Sequence, residues 1–264
     1  MKDDVISPDL KAVLRRLKLS RILDTLPERL VLARQQKMPH QDLLLLTLQD
    51  EVVRRDSQAA TLRAREGHLD PFAQLDNWDE TAKVSFDRAL LNELASLRFL
   101  ESHHHVLIVG PVGVGKSFLA QALGHSTCRA GHHVRYIKAA PLLHALHASR
   151  ADNSLERELR GWLAWYLLII DDFGLRKLTA QQSSDLYDVL VERHRRTATI
   201  ITSNRAVEEW VALFDDPILA NSALDRFAHR AHQIVMEGAS LRAARAPRPA
   251  KGSRHPAEKA GSGE

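Results

Sequence analysis

Cysteine is almost missing: Cys128 is the single one in 264 residues, so no internal disulfide can staple the chain. That composition agrees with a reducing compartment. No apolar run approaches the roughly 18 residues of a membrane span, and residues 1–10 lack the apolar centre of a secretory signal. The expectation is therefore a cytoplasmic protein with no membrane partner. Metal-ligand motifs are lacking too. No cysteine cluster or H-E-x-x-H pattern occurs, and three adjacent histidines, His103, His104 and His105, cannot all face one ion at the start of a strand. They are assigned to the surface and to the strand's beginning. Net charge is only +4, and residues 239–264, with six basic and two acidic side chains, carry all of it. The body is nearly neutral, so a nucleic-acid surface there must come from the arrangement of charges.

What is present describes an ordinary globular chain, 44% hydrophobic and 27% charged, with room for a large domain joined to a small one. One stretch organises it: residues 105–117, HVLIVGPVGVGKS. Val106, Leu107, Ile108 and Val109 read as a strand buried on both faces of a parallel sheet. A glycine turn follows, and Gly110, Pro111, Val112, Gly113, Val114, Gly115, Lys116 and Ser117 spell G-x-x-x-x-G-K-S ahead of a helix that begins near Phe118. Glycines let successive backbone N–H groups turn inward around a phosphate, and the helix N-terminus adds its positive dipole. Lys116 supplies charge for the β- and γ-phosphates, and the Ser117 hydroxyl is a Mg²⁺ ligand. ATP and Mg²⁺ are the expected cofactors.

Leu167, Leu168, Ile169 and Ile170 form a second buried strand, ending in Asp171 and Asp172. Paired acids are costly unless a cation neutralises them, and ligands gather at the C-terminal ends of strands in an open α/β sheet. Asp171 is assigned to the Mg²⁺ shell, mostly through water, and Asp172 to orienting or deprotonating the attacking water. The strand TATIITSN ends at Asn204, which emerges on the same sheet edge, placed for the γ-phosphate or that water.

Before the first strand the chain reads as helices. Leu10, Val13, Leu14 and Leu17 recur at helical spacing after Ser7-Pro8-Asp9, Pro27 breaks or starts a second helix, and Pro39 starts a third. Residues 1–70 are expected to be a helical domain whose basic residues, Arg54 and Arg55 among them, fit two readings, solvated helix faces or contacts to the phosphates of double-stranded DNA. Residues 71–80 read as a linker in which Phe72 and Trp78 pack on the body or lie near the nucleotide's base, packing being the favoured reading, residues 81–100 as helix, and residues 239–264 as a basic disordered tail.

The P-loop GPVGVGKS, the acids of LLIIDDFG, the strand TIITSN and the segment ALDRFAHR together resemble AAA+ ATPases. The match is specifically to the IstB-like helpers of bacterial insertion sequences, close to the DnaC and DnaI helicase loaders. The resemblance spans roughly residues 10–238. It implies an α/β fold, a parallel sheet flanked by helices over residues 81–238, plus a small N-terminal helical domain. It puts Asn204 at the sensor-1 position and Arg226 at the arginine-finger position, which reaches the ATP of a second copy in a homo-oligomer. It also implies assembly on DNA and service to a partner transposase. Two departures stand out: Asp171-Asp172 replaces the usual Asp-Glu, and the 28 residues after Met236 are too few for a helical lid with a second sensor arginine. Three other readings stay open. A helicase loader and an ATP-gated DNA-binding module with little hydrolysis are the nearer two; a metabolic kinase would need an acceptor pocket that the sequence does not display.

Overall fold

In the computed structural model, which describes residues 6–241, three helices come first: α1 (Pro8–Arg16), α2 (Ile22–Gln36) and α3 (His40–Glu66). The Ser7 side chain caps α1 by accepting from the Leu10 N–H, and Pro8 sits at its first position. Pro27 neither breaks nor starts α2 but lies inside it. Proline costs a helical bond there. Ile22 and Leu26, one turn apart, still bury with Ile6 in a small separate apolar cluster, which holds the segment before the proline helical.

The 27 residues of α3 run on to the larger body, where Ala64 and the following Leu69 join its core. Next come β1 (Val84–Ser85), α4 (Arg88–Ala95) and α5 (Arg98–Glu101). The expectation of continuous helix over 81–100 is thus corrected: β1 pairs antiparallel with β7 (Glu237–Gly238), a partner about 150 residues away that local pattern cannot reveal. Leu97 adopts a left-handed conformation between the two helices.

The remaining strands are β2 (His105–Val109), β3 (Val134–Lys138), β4 (Leu167–Phe173), β5 (Ala198–Ser203) and β6 (Ala231–Val235). They form a parallel sheet in the order β3-β4-β5-β2-β6. Helices α6 (Lys116–Arg129), α7 (Ala139–Ala151), α8 (Leu155–Leu163), α9 (Ala180–Arg193) and α10 (Pro217–Ala228) connect or flank them. Alternate residues of the strands face opposite ways. Val106, Ile108, Ile169 and Ile200 pack with α6 residues Leu119 and Leu123, whereas Leu107, Leu168, Ile170 and Ile201 pack toward α7, α9 and α10. Both faces are covered, which is why the strands read as unbroken apolar runs.

The sheet's lower edge holds a histidine from the run assigned to the surface and the strand's beginning; it does begin β2, but it is not at the surface. His105 is fully buried, its ring stacked on Phe227 at 4.5 Å, and its Nδ1 accepts from the Thr199 N–H at 3.2 Å. The tail expectation is partly corrected as well. Ser240 and Leu241 stand against the phosphate loop: the Leu241 N–H donates to the Gly113 carbonyl at 2.9 Å. Residues 242–264, with the rest of the expected tail and its basic side chains, lie outside the described residues.

Candidate functional site

β2 delivers the glycine loop at its C-terminal end, and α6 begins directly behind it at Lys116. Gly115 has φ +102°, a left-handed conformation that turns the chain into the helix; a Cβ there would come within 2.9 Å of the Trp78 ring. The Lys116 ammonium donates to the carbonyls of Gly110 at 2.8 Å and Pro111 at 2.7 Å, inside its own loop. Pro111 and Val112 are exposed, Val114 is buried, and Phe118 packs against Trp78 with ring centroids 5.5 Å apart. Trp78 also meets Phe86 edge-on. The expectation that Phe72 packs on the body is corrected, since it is 58% exposed.

β5 lies between β2 and β4, so the loop and the acid pair flank one strand. Asp171 is buried, and three hydroxyls bond its carboxylate. The Ser117 Oγ donates to its Oδ1 at 2.8 Å, Thr202 donates to the same oxygen at 2.5 Å, and the Tyr136 OH donates to its Oδ2 at 2.6 Å. Hydroxyls orient a carboxylate without neutralising it, and a buried charge is costly without a counter-charge. A hard cation such as Mg²⁺ takes oxygen ligands of this kind. The donor set of Ser117 and Asp171 fits it.

Between Ile170 and Phe173 the pairing of β4 with β5 slips by one residue, a bulge that falls on the two acids. Asp172 adopts φ +57°, its N–H donates to Thr202 Oγ1 at 3.1 Å, and its carboxylate pairs with the Lys138 ammonium at 2.9 Å. The bulge leaves Asp172 on the rim of the loop's cavity while its carboxylate faces β3. A cavity of about 200 Å³ brings Trp78, Gly113, Lys116, Asp172, Asn204 and Leu241 together. Sequence reasoning had not assigned Leu241, Thr202, Tyr136 or Lys138 to this edge; nothing local marks them.

Arg226 and the pair Arg54/Arg55 lie elsewhere. α10 descends to the start of β6, where Ala231 is in register with His105, so Arg226 sits at the sheet edge opposite the loop. It is exposed, with its guanidinium 5.9 Å from the Tyr187 ring centroid. The neighbouring Asp225 pairs with His229. Arg226 shares a polar cavity of about 400 Å³ with His194, Arg195 and Arg230. Arg54 and Arg55 both bond the buried carboxylate of Glu51 at 2.7 Å, and Arg55 also reaches the Lys18 carbonyl at 2.8 Å. These contacts hold α3 to the turn after α1. The Glu51 carboxyl is drawn down to about 2, chiefly by its hydrogen bond to Arg54.

The family profile described as IstB-like ATP binding protein matches residues 12–248. A Mycobacterium tuberculosis protein, named for ATP binding in an insertion sequence, is 39% identical over 92% of this chain and 97% of its own length. A Pseudomonas aeruginosa protein, named for ATP binding in insertion sequence IS21, is 30% identical over 89% of this chain and 88% of its own. Among solved structures, the DnaC helicase loader superposes with a TM-score of 0.52 at 21% identity, over 62% of this chain and 97% of that one. The body therefore has the AAA+ P-loop fold.

Proposed function

This chain belongs to the family of IstB-like ATP-binding proteins, and we propose that it is an ATP-hydrolysing, DNA-binding AAA+ protein that assembles on double-stranded DNA and assists a partner transposase. The observation that carries the reading is the juxtaposition of Ser117 Oγ with Asp171 Oδ1 at 2.8 Å, across one cavity from Lys116, Asp172 and Asn204. In this reading the glycine loop holds the phosphates and Lys116 leaves its loop carbonyls for their charged oxygens. Ser117 and Asp171 hold Mg²⁺, which when bound polarises the terminal phosphate. Asp172 and Asn204 orient the attacking water.

Residues 1–70 serve as the DNA-contacting unit, residues 71–80 as linker, residues 81–238 together with Ser240 and Leu241 as the ATPase, and the residues after 241 as a basic tail. Insertion-sequence relatives support the transposase partner. Arg54 and Arg55 contribute phosphate contacts, Arg55 the more readily because it is half exposed. Replacing either also loosens Glu51, so DNA retention of an Arg55→Gln variant is to be compared at matched helical content. The decisive experiment measures phosphate release with and without duplex DNA and transposase, alongside ATP-dependent retention on DNA. Turnover that rises with DNA, together with stimulated transposition, supports the proposal. Capture of a replicative helicase instead would reassign the partner.

One observation favours a second reading, an ATP-gated DNA-binding module. Asp172, shorter than the glutamate usual at its position, is already engaged by Lys138. ATP-dependent DNA retention with no phosphate release in a single turnover would select it.

A further inference from the structure

β3 is an edge strand, and the backbone on the outer side of such a strand needs a partner. Here the end of α3 supplies it. The Tyr136 N–H donates to the Gly67 carbonyl at 2.8 Å, and the Arg135 guanidinium reaches the Glu66 carbonyl at 3.3 Å. Gly67 lies so close to the strand that a Cβ would stand 2.3 Å from the Val134 carbonyl oxygen. No other residue type fits that contact without moving backbone. The helix from the N-terminal unit is therefore fixed to the sheet over residues 134–136.

The side chain of the same tyrosine points inward to the acid pair. Its hydroxyl donates to Asp171 Oδ2 at 2.6 Å, the length of a charge-assisted bond, while Ser117 and Thr202 occupy Oδ1. The rotation of the carboxylate is thus set from two sides, and Tyr136 alone sets the Oδ2 side among the described residues. Backbone bonded to α3 and hydroxyl bonded to Asp171 belong to one residue, with no intermediate contact to dilute the connection.

We propose that Tyr136 is a positioning residue for the Mg²⁺-holding carboxylate, and that through Gly67 it ties the geometry of that carboxylate to the N-terminal helices. This rests on the reading that Ser117 and Asp171 hold Mg²⁺ beside ATP. A metal ligand is only as well placed as the groups that hydrogen-bond it, and removing such a partner typically weakens metal affinity about tenfold or more. Tyr136→Phe keeps the ring and deletes only the donor. Gly67→Ala leaves the donor and displaces the strand beneath it.

The test uses the full chain and calorimetric titration with ATP at stepped Mg²⁺ concentrations. Tyr136→Phe is expected to raise the half-effective Mg²⁺ concentration about tenfold, with Mg²⁺-free nucleotide binding within about twofold of wild type. Gly67→Ala is expected to shift the same midpoint and to speed amide exchange at Tyr136, and the double variant to add little to either single one. Should the alanine variant misfold, Arg135→Ala, which deletes the guanidinium's bond to the Glu66 carbonyl and adds no atom, loosens the same junction. An unchanged midpoint in Tyr136→Phe, with normal Mg²⁺ dependence in wild type, overturns the inference and leaves the functional reading standing. Additive shifts in the double variant overturn the link to α3. Nucleotide binding that ignores Mg²⁺ in wild type itself overturns the functional reading, and this inference with it.

Discussion

The indole of Trp78 lies against Gly115, the last glycine of the phosphate loop, at a spacing that leaves no room for a Cβ there. Trp78 precedes the phosphate loop in sequence and Leu241 follows it by more than a hundred residues, yet both reach the cavity, and Phe118 stands behind the indole. An aromatic and aliphatic wall beside a phosphate loop suits a flat base. ATP binding is expected to change Trp78 emission, and Trp78→Phe to remove that change while the signal of the other three tryptophans stays constant. Trp78→Ala is expected to weaken ATP about tenfold, within the range for aromatic stacking on a base. A fluorescence titration against Lys116→Ala as the non-binding control decides it; an ATP signal that persists in Trp78→Phe would place the base elsewhere.

Asp171 and Asp172 are adjacent, yet their surroundings differ in a way that predicts different tasks. Asp171 is buried among hydroxyls, while Asp172 is partly exposed, left-handed and paired with Lys138. Asp171→Asn should lose the Mg²⁺ dependence of nucleotide binding. Asp172→Asn should bind MgATP within about twofold of wild type and lose turnover by about a hundredfold, the scale of general base catalysis. Single-turnover phosphate release measured beside equilibrium binding separates the two effects. Equal turnover in Asp172→Asn and wild type would remove the water-orienting role.

Much of this site was legible because its signals are local. An apolar strand run, a glycine turn and a Lys-Ser pair are contiguous, and so are the apolar run and acids of β4. The rest depended on contacts between distant segments. The position of β5 between β2 and β4, the one-residue slip that turns Asp172, and the pairing of β1 with β7 are sheet properties that no window of sequence contains. Tyr136 and Gly67 carry no motif, and their importance comes from where α3 ends. Pro27 misled for a related reason: burial of Ile22 and Leu26 keeps a helix going where the proline alone argues for its boundary.

Arg226 cannot serve the nucleotide of its own chain, since α10 brings it to the sheet edge opposite Lys116. If it acts on phosphate, it acts on a second copy. Arg226→Ala and Lys116→Ala are each expected to lower ATP turnover at least about tenfold, below the 10³–10⁵ known for arginine fingers of GTPases. Mixed together, the two variants should regain activity at interfaces where an intact loop faces an intact arginine. Turnover assayed across mixing ratios provides the check. Absence of recovery in co-assembled chains would confine Arg226 to its contact with Tyr187.

His105 gives the fold a defined acid sensitivity. Its imidazole is pushed down to about 3, first by burial and then by the positive charge of Arg193. In the unfolded chain the ring takes a proton near its ordinary 6.5. Between pH 6.5 and 3 the unfolded state therefore binds more protons than the folded one, and stability falls as pH falls, by at most about 1.4 kcal/mol per pH unit. Above pH 6.5 the contribution is complete and flat. His105→Leu is expected to flatten the slope within that window. It should also cost about 1–3 kcal/mol at pH 7.5, because the Thr199 N–H loses its buried acceptor. Urea unfolding of both proteins at pH 7.5 and 5.5 measures the two effects separately. Since His105 stacks on Phe227, the neighbour of Arg226, acid should loosen the arginine-bearing edge before the phosphate loop, and amide exchange of 226–230 at pH 5.5 should rise ahead of that of 110–117. Matching pH slopes in the two proteins would mean that the buried ring takes up its proton as readily as a solvated one.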